Sequence, residues 1–190
     1  MRDEDYQPDQ IGEYGVGAQP ALVSRMRPHL RMTQLGNALA LLAVVTAVVA
    51  LVRFPDFGNP AGTRWAVTAV VCAVLLLLIC SCQHLCWLRG MARWSGRSEV
   101  RLEPLMRVSW IVHLVSYAVL LVALWATISA VVQVGWMAWS AVLLSLSLVF
   151  MLAAQVMAAV QYLRVSGPPG TLPAHMRRLA ARERSARLGR

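Results

Sequence analysis

Charged residues are scarce in this sequence and are absent from long stretches of it. Asp, Glu, Lys and Arg make up 14% of the 190 residues, against about 25% in a typical soluble domain. None of them lies within 32–52, 65–88 or 108–163. Because a helix needs about 20 apolar residues to cross a bilayer, the first two stretches each hold one span and the third holds two. A soluble globular domain is therefore excluded, and four transmembrane helices are predicted.

The motifs of common enzymes and transporters are also lacking. The sequence has no Gly-rich phosphate loop, no H-E-x-x-H motif, no Ser/His/Asp set and no C-x-x-C pair. The one acidic pair in a loop, Glu99 and Glu103, is interleaved with arginines and is expected to be solvated. No predicted span contains the carboxylate on which small proton-coupled exporters depend. We therefore predict a protein that is not an enzyme, and ion-coupled transport by this chain alone is disfavoured.

Lysine is missing altogether, so that all 18 basic residues are arginine. Together with abundant Ala, Val and Leu, this composition indicates a GC-rich bacterial source. Sixteen arginines lie in the predicted N-tail, in the loop 89–107 and in the C-tail, and only Arg53 and Arg64 lie on the other side. Cytoplasmic segments are enriched in Arg and Lys. The sequence thus predicts a multi-pass protein of the plasma (inner) membrane with both termini in the cytoplasm.

The predicted architecture is all-α, an integral membrane four-helix bundle built from two antiparallel hairpins. Residues 1–31 form a mostly disordered cytoplasmic N-tail, because they are polar and contain several Pro and Gly residues. Its acidic start is unlike a signal peptide, so the first span is expected to be an uncleaved anchor. The transmembrane domain is 32–163, and residues 164–190 form a basic C-tail. The four spans are expected at 32–52, 65–88, 108–134 and 140–163.

Aromatic residues mark the expected membrane interfaces, where their amphipathic rings are enriched. On the outer side these are Trp65, Trp136 and Trp139. On the cytoplasmic side they are Trp87, Trp94, Trp110 and Tyr162.

Each predicted span carries a line of small or polar residues that suits helix packing in lipid. In the first span the steps are 4, 3, 4 and 3, the period of a left-handed coiled coil. The first-span residues are Gly36, Ala40, Ala43, Ala47 and Ala50. The second-span residues are Ala66, Ala69, Ala73, Cys80 and His84. The third-span residues are Ser109, His113, Ser116, Ala123, Thr127 and Ala130. The fourth-span residues are Ser140, Ser147, Ala154 and Gln161, with Ala158 beside them.

The stretch "ICSCQHLCW" (79–87) has Cys80, Cys82, His84 and Cys86 at alternate positions, which raises the question of a zinc site. A helix turns about 100° per residue, so Cys80 and His84 share one face while the other two cysteines share another. Four ligands on opposite faces cannot reach one tetrahedral zinc ion, and no metal site is predicted. A disulfide relay is also disfavoured on the reducing cytoplasmic side. The cysteines are interpreted as small apolar residues.

His84 and His113 are the ionisable residues of the predicted membrane interior. His84 lies about 8 Å inside Arg89 and His113 about 9 Å inside Arg107, so the two are expected at a similar depth. Intramembrane ionisable residues are candidates for function. Three interpretations remain open: a structural contact across helices, for instance of His113 with Ser147 or Gln155; a proton or ligand contact; and bis-imidazole ligation of haem b.

The C-tail carries a cluster of arginines that is expected to contact anionic lipids of the inner leaflet or an acidic partner. These residues are Arg177, Arg178, Arg182, Arg184, Arg187 and Arg190.

The favoured function is a non-catalytic accessory or regulatory membrane subunit that packs with a larger membrane complex or with itself, binds no nucleic acid and has no cofactor. One alternative is a haem- or quinol-associated redox subunit that uses His84 and His113. The other is a small homo-oligomeric pore or transporter.

Overall fold

The chain folds into four long α-helices in the computed structural model. The structure describes residues 18–95 and 103–165, and within them the side chains of 27–90, 92 and 108–161. The helices are α1 (Ala18–Arg53), α2 (Pro60–Ser95), α3 (Glu103–Val134) and α4 (Trp139–Val165). The prediction that the chain is all-α is confirmed for these residues.

All four helices are long and apolar enough to cross a membrane. The stretches that meet this condition are Arg27–Arg53, Pro60–Gly90, Val108–Val134 and Trp139–Gln161. Each contains or closely matches one of the four predicted spans. The architecture is that of a multi-pass membrane protein.

Neighbouring helices in the sequence are also neighbours in space. α1 packs against α2, α2 against α3 and α3 against α4, while α4 returns to pack against α1. The cross-helix contacts run in antiparallel order, because His29 of α1 meets Trp87 near the end of α2 and Ala43 meets Ser147 in the middle of α4. The start of α1, the end of α2, the start of α3 and the end of α4 therefore share one end of the structure.

α1 begins earlier than the sequence patterns indicated. Residues 18–31 are helical, whereas the whole of 1–31 was expected to be mostly disordered. Pro20 lies in the first turn of α1, where a backbone N–H has no partner within the helix in any case. Pro28 lies inside the helix, so a proline alone did not mark its boundary. The expected disorder of 1–17 lies outside the described residues.

The polar loop expected at 89–107 is also shorter than predicted. α2 continues to Ser95 and α3 begins at Glu103, so both helices extend beyond the apolar stretch that spans the membrane. Charged residues end a membrane span without ending the helix, since the backbone hydrogen bonds of a helix are made within the segment itself.

The interior is built from one line of buried residues on each helix, which we call the interior stripes. Successive members are spaced by steps of 3 and 4, as in left-handed helix packing, and the steps alternate in every stripe except that of α3. The stripe of α1 is His29, Thr33, Gly36, Ala40, Ala43, Ala47 and Ala50. The stripe of α2 is Ala66, Ala69, Ala73, Leu76, Cys80, Gln83 and Trp87. The stripe of α3 is Ser109, Val112, Ser116, Leu120, Ala123, Ala126 and Ala130. The stripe of α4 is Ser140, Leu144, Ser147, Met151, Ala154, Ala158 and Gln161.

The outward faces carry the large aliphatic and aromatic side chains. Leu42, Val71, Leu121 and Val149 are each exposed by 45% or more of their area. Water would penalise such a surface, whereas lipid hydrocarbon does not. The distribution, small and polar residues inside and large apolar residues outside, suits a membrane rather than water.

The short connection between α1 and α2 is stabilised by hydrogen bonds between its own side chains and nearby backbone N–H groups. Asn59 precedes α2, and its side-chain Oδ1 accepts a hydrogen bond from the Gly62 N–H at 2.8 Å, which caps the helix. Pro60 occupies the first helical position, where its missing N–H costs nothing. Asp56 Oδ1 accepts from the Gly58 N–H at 3.0 Å. These contacts fix where α2 starts.

Candidate functional site

Buried polar side chains are concentrated at the end of the structure where α1 and α3 begin and α2 and α4 end. We call this region the polar end. It contains His29, Thr33, Gln83, Trp87, Ser109, Ser116, Gln155 and Gln161, each less than 9% exposed. It also includes the half-buried His84 and His113. All four helices contribute to it.

His84 joins α2 to α1. Its Nδ1 lies 3.0 Å from Thr33 Oγ1, and that hydroxyl also lies 2.8 Å from the Leu30 carbonyl oxygen. A hydroxyl has a single proton, and a carbonyl oxygen can only accept. Thr33 therefore donates to Leu30 and accepts from the Nδ1–H of His84. One turn further into the membrane, Ser81 Oγ donates to Asn37 Oδ1 at 2.7 Å and reinforces the same interface.

His113 joins α3 to α4 through Gln155, one of the two partners that the sequence suggested. Gln155 Nε2 lies 3.3 Å from His113 Nδ1 and 3.5 Å from the His113 carbonyl oxygen. This side-chain contact links the ring of His113 to the amide group of Gln155 across the α3–α4 interface. The other suggested partner, Ser147, instead donates to the Ala43 carbonyl oxygen at 2.8 Å and joins α4 to α1.

The two histidines are therefore engaged in different interfaces. His84 lies between α1 and α2, and His113 lies between α3 and α4. Ligation of one haem iron by both histidines would require the two rings to face each other across the metal. The hydrogen-bond contacts of the two rings instead direct each ring towards its own helix–helix interface.

His29 and Trp87 close the polar end. Their rings are stacked with centroids 5.8 Å apart and an interplanar angle of 19°. Trp87 is fully buried, although the sequence suggested that it marks the membrane interface. Its position continues the α2 interior stripe by steps of 3 and 4 from Cys80 through Gln83, which turns the indole inward.

Several polar atoms of the polar end have no hydrogen-bond partner. Gln83 Nε2, Trp87 Nε1, Ser109 Oγ, Gln155 Oε1 and both side-chain polar atoms of Gln161 are in this condition. A buried polar group left without a partner destabilises a fold by about 1–3 kcal/mol. Such groups are normally rare and scattered, so their concentration at one end is a specific feature of this chain.

The opposite half of the interior has a different character. Alanine dominates it, and Ala47, Ala50, Ala66, Ala126 and Ala130 are all fully buried. Small side chains bring helix backbones close together. This half is a tight packing region that leaves little room for a path along the helix axes.

The predicted packing residues occupy the following places. Ala40, Ala43, Ala47, Ala50 and Ala154 are fully buried, and Ser147 is 3% exposed. Gly36 is buried as well, and a Cβ placed on it would lie 3.6 Å from the Met157 Cβ. The C-tail arginines, Arg177, Arg178, Arg182, Arg184, Arg187 and Arg190, lie outside the described residues.

The cysteines are all free thiols. Cys72 and Cys80 are buried, Cys82 is exposed and Cys86 is half-buried, so the four do not converge on one point. Within 18–95 and 103–165, no group of three or more His, Cys, Asp or Glu side chains is arranged to hold a metal ion.

Sequence reasoning missed His29, Thr33, Gln83 and the inward position of Trp87. The signal was present in the spacing. Extending the α1 stripe backwards from Gly36 by steps of 3 and 4 reaches Thr33 and His29. Thr33 lies at the edge of the first predicted span and His29 lies outside it. Buried polar residues were not expected at these two positions.

Comparison of the chain with models of protein families, with curated proteins and with solved structures found no match.

Proposed function

We propose that this protein is a non-catalytic membrane subunit that binds another membrane protein through the outward face of α3. The observation that carries this proposal is the exposure of the Trp125 side chain. This side chain is 66% exposed and lies on the outside of the helix group. The other strongly exposed tryptophans lie near the ends of the apolar spans, where a membrane interface is expected. Trp110 is close to the start of the α3 span at Val108, Trp136 is in the α3–α4 loop and Trp139 is the first residue of α4.

The depth of Trp125 separates it from an interface anchor. It lies nine residues, or about 14 Å, before the end of α3 at Val134. Side chains on a helix lean towards its N-terminus, so the indole of Trp125 leans away from its nearer interface and towards the middle of the span. Hydrocarbon offers no acceptor for the indole N–H, whereas a neighbouring transmembrane helix does.

A stripe of further outward residues surrounds Trp125 on the same face of α3. Leu114, Tyr117, Leu121, Ile128 and Val132 are all exposed by 45% or more. Large aromatic residues with a polar atom are typical anchors of protein interfaces. The partner that fits is a transmembrane helix that places an acceptor, such as a Ser, Thr, Asn or Gln oxygen, opposite Trp125.

A second copy of the chain fits this face less well. Tyr117 is the residue of the stripe with an acceptor oxygen, and it lies eight residues, or about 12 Å, from Trp125 along α3. In a symmetric pair of parallel copies, Trp125 and the other Tyr117 would lie at different depths. A different protein is therefore the favoured partner.

The two alternative functions have less support. A homo-oligomeric pore or transporter would place its path between copies of the chain, and it is disfavoured because the outward faces carry mostly large apolar side chains. A haem subunit is disfavoured by the separate interfaces of His84 and His113. For the orientation, we propose that the polar end faces the cytoplasm, because 16 of the 18 arginines flank that end of the spans.

The test is purification in mild detergent at native expression level, with identification of the co-purifying proteins and an absorption spectrum of the same peak. We expect a colourless peak that contains a second membrane protein in fixed ratio. A Soret band that is lost in both His84→Ala and His113→Ala would overturn the proposal in favour of a redox subunit. A chain that purifies alone would overturn it as well.

The role of the indole N–H is tested by Trp125→Phe, which keeps an aromatic ring. One interhelical hydrogen bond in a membrane contributes about 0.6–1.7 kcal/mol, so recovery of the partner should fall about 3- to 18-fold. The control is Val149→Leu, at a site that is 55% exposed on α4, which should leave recovery unchanged.

A further inference from the structure

The buried polar end points to an internal binding site, and we propose that it holds a cluster of ordered water molecules inside the helix group. The proposal rests on the unpaired polar atoms, on their combined chemistry and on the small side chains at the adjoining level of the interior. It does not depend on the proposed partner.

The polar atoms lie on levels that the cross-helix contacts define. His29 stacks on Trp87 at the outermost level, and by the register of the interior stripes Ser109 and Gln161 belong to the same level. Gln83 lies one level deeper, beside Thr33. Trp87, Ser109 and Gln161 are each no more than 1% exposed, and Gln83 is 3% exposed. All four carry an atom without a partner.

The next level inwards is formed by small side chains. It consists of Gly36, Cys80, Ser116 and Ala154. The levels on either side of it contain larger residues, with Gln83 towards the polar end and Leu76, Leu120 and Met151 towards the middle of the span. The larger residues on either side limit how closely the helices can approach at this level.

Gly36 shows how little side-chain volume this level contains. A Cβ built on this buried glycine would meet a single heavy atom within 4 Å, the Met157 Cβ at 3.6 Å, which is an ordinary van der Waals contact. A methyl group could therefore be added here without displacing a neighbour. By the register of the interior stripes this level adjoins Gln83, whose Nε2 has no partner, and Gln155, whose Oε1 has none, follows Ala154 on α4.

The unpaired atoms include both hydrogen-bond donors and acceptors, and this mixture indicates which molecule could bind them. The Trp87 N–H and the Gln83 amide nitrogen can only donate, Gln155 Oε1 can only accept, and Gln161 does both. A ligand with acceptors alone, such as an anion or a quinone carbonyl, leaves Gln155 unpaired. Water donates and accepts, and buried waters typically make about three hydrogen bonds to such groups.

The cluster ends where the apolar residues begin. Leu76, Leu120 and Met151 form the level beyond Gly36, and alanines fill most of the positions further on. An apolar, tightly packed interior stays dry. The structure therefore assigns water to one end of the interior and none to the other.

Two native thiols report on this difference. Cys80 belongs to the small level and is 3% exposed, while Cys72 lies beside Ala73 in the alanine-rich half and is 5% exposed. The experiment is infrared spectroscopy of the thiol S–H stretch after transfer of the full chain in lipid vesicles to D₂O. The exposed Cys82 and half-buried Cys86 are replaced by Ser, and the two remaining bands are assigned with Cys80→Ala and Cys72→Ala.

We expect the Cys80 S–H band to convert to S–D at least 10-fold faster than the Cys72 band. Equal exchange of the two thiols, whether fast or slow, would overturn the proposal. Ala154→Leu fills the small level and should slow the exchange of Cys80 while leaving that of Cys72 unchanged. If this variant does not fold, the comparison of the two thiols in the parent chain decides the question alone.

Discussion

Some polar side chains in this protein join two helices, and others bond within their own helix. Ser147 illustrates this, because its hydroxyl reaches across to the backbone of α1 at Ala43, while Thr46 and Thr68 bond to carbonyl oxygens of their own helices. At the scale of residues, both histidines that the sequence singled out as candidates for function make contacts between helices.

Glycines in the two short loops give a residue-level prediction. Gly58 and Gly135 both have positive φ angles, 72° and 91°, which disfavour a side chain. A Cβ on Gly58 would also lie 2.8 Å from the Gln133 carbonyl oxygen, whereas a Cβ on Gly135 would meet nothing within 4 Å. Gly135→Ala should lower the free energy of unfolding by about 1–2 kcal/mol, and Gly58→Ala should lower it by more.

The measurement is equilibrium unfolding of both variants in the same detergent. The difference between the two losses of unfolding free energy measures the effect of the close approach between Gly58, in the α1–α2 connection, and Gln133, near the end of α3. Equal losses would show that this connection does not pack against α3 as described.

At the scale of elements, the helices were predictable and their ends were less so. The charge-free stretches located all four spans, because charge is costly in hydrocarbon. The same criterion placed the start of α1 too late and the end of α2 too early, since helices continue past the membrane where charge is no longer penalised. The interior position of Trp87 was missed for a related reason: composition near the end of a span indicated an interface, while the spacing along α2 indicated the core.

The interior stripe of α1 provides the element-level prediction. Ala47 is fully buried between helices, so Ala47→Leu forces extra volume into a packed interface and should cost about 1–3 kcal/mol of stability. Ala38 lies on the exposed face of the same helix, and Ala38→Leu is the matched control with no expected loss. Thermal unfolding in detergent compares the two. A larger loss of stability for Ala38→Leu than for Ala47→Leu would contradict the assignment of Ala47 to the buried face of α1.

At the scale of the whole molecule, the two ends differ in both charge and interior. Arginines flank the polar end, and alanines fill the interior towards the other. If the charge asymmetry sets the orientation, a fluorescent reporter fused after Arg190 should be active, and a phosphatase that folds only outside the cytoplasm should be inactive there. The reverse result would invert the proposed orientation. A phosphatase inserted in the 54–59 connection is the positive control.

The central claim is that the outward face of α3 binds another membrane protein. Its most direct test is photocrosslinking in native membranes with a benzoylphenylalanine placed at Leu121 on α3, compared with the same group at Val149 on α4. The two sites are 51% and 55% exposed, so they are matched in access. We predict that the group at Leu121 crosslinks to one specific membrane protein and that the group at Val149 crosslinks to lipid. Crosslinking to lipid at both sites, or to the same protein from both, would contradict the claim.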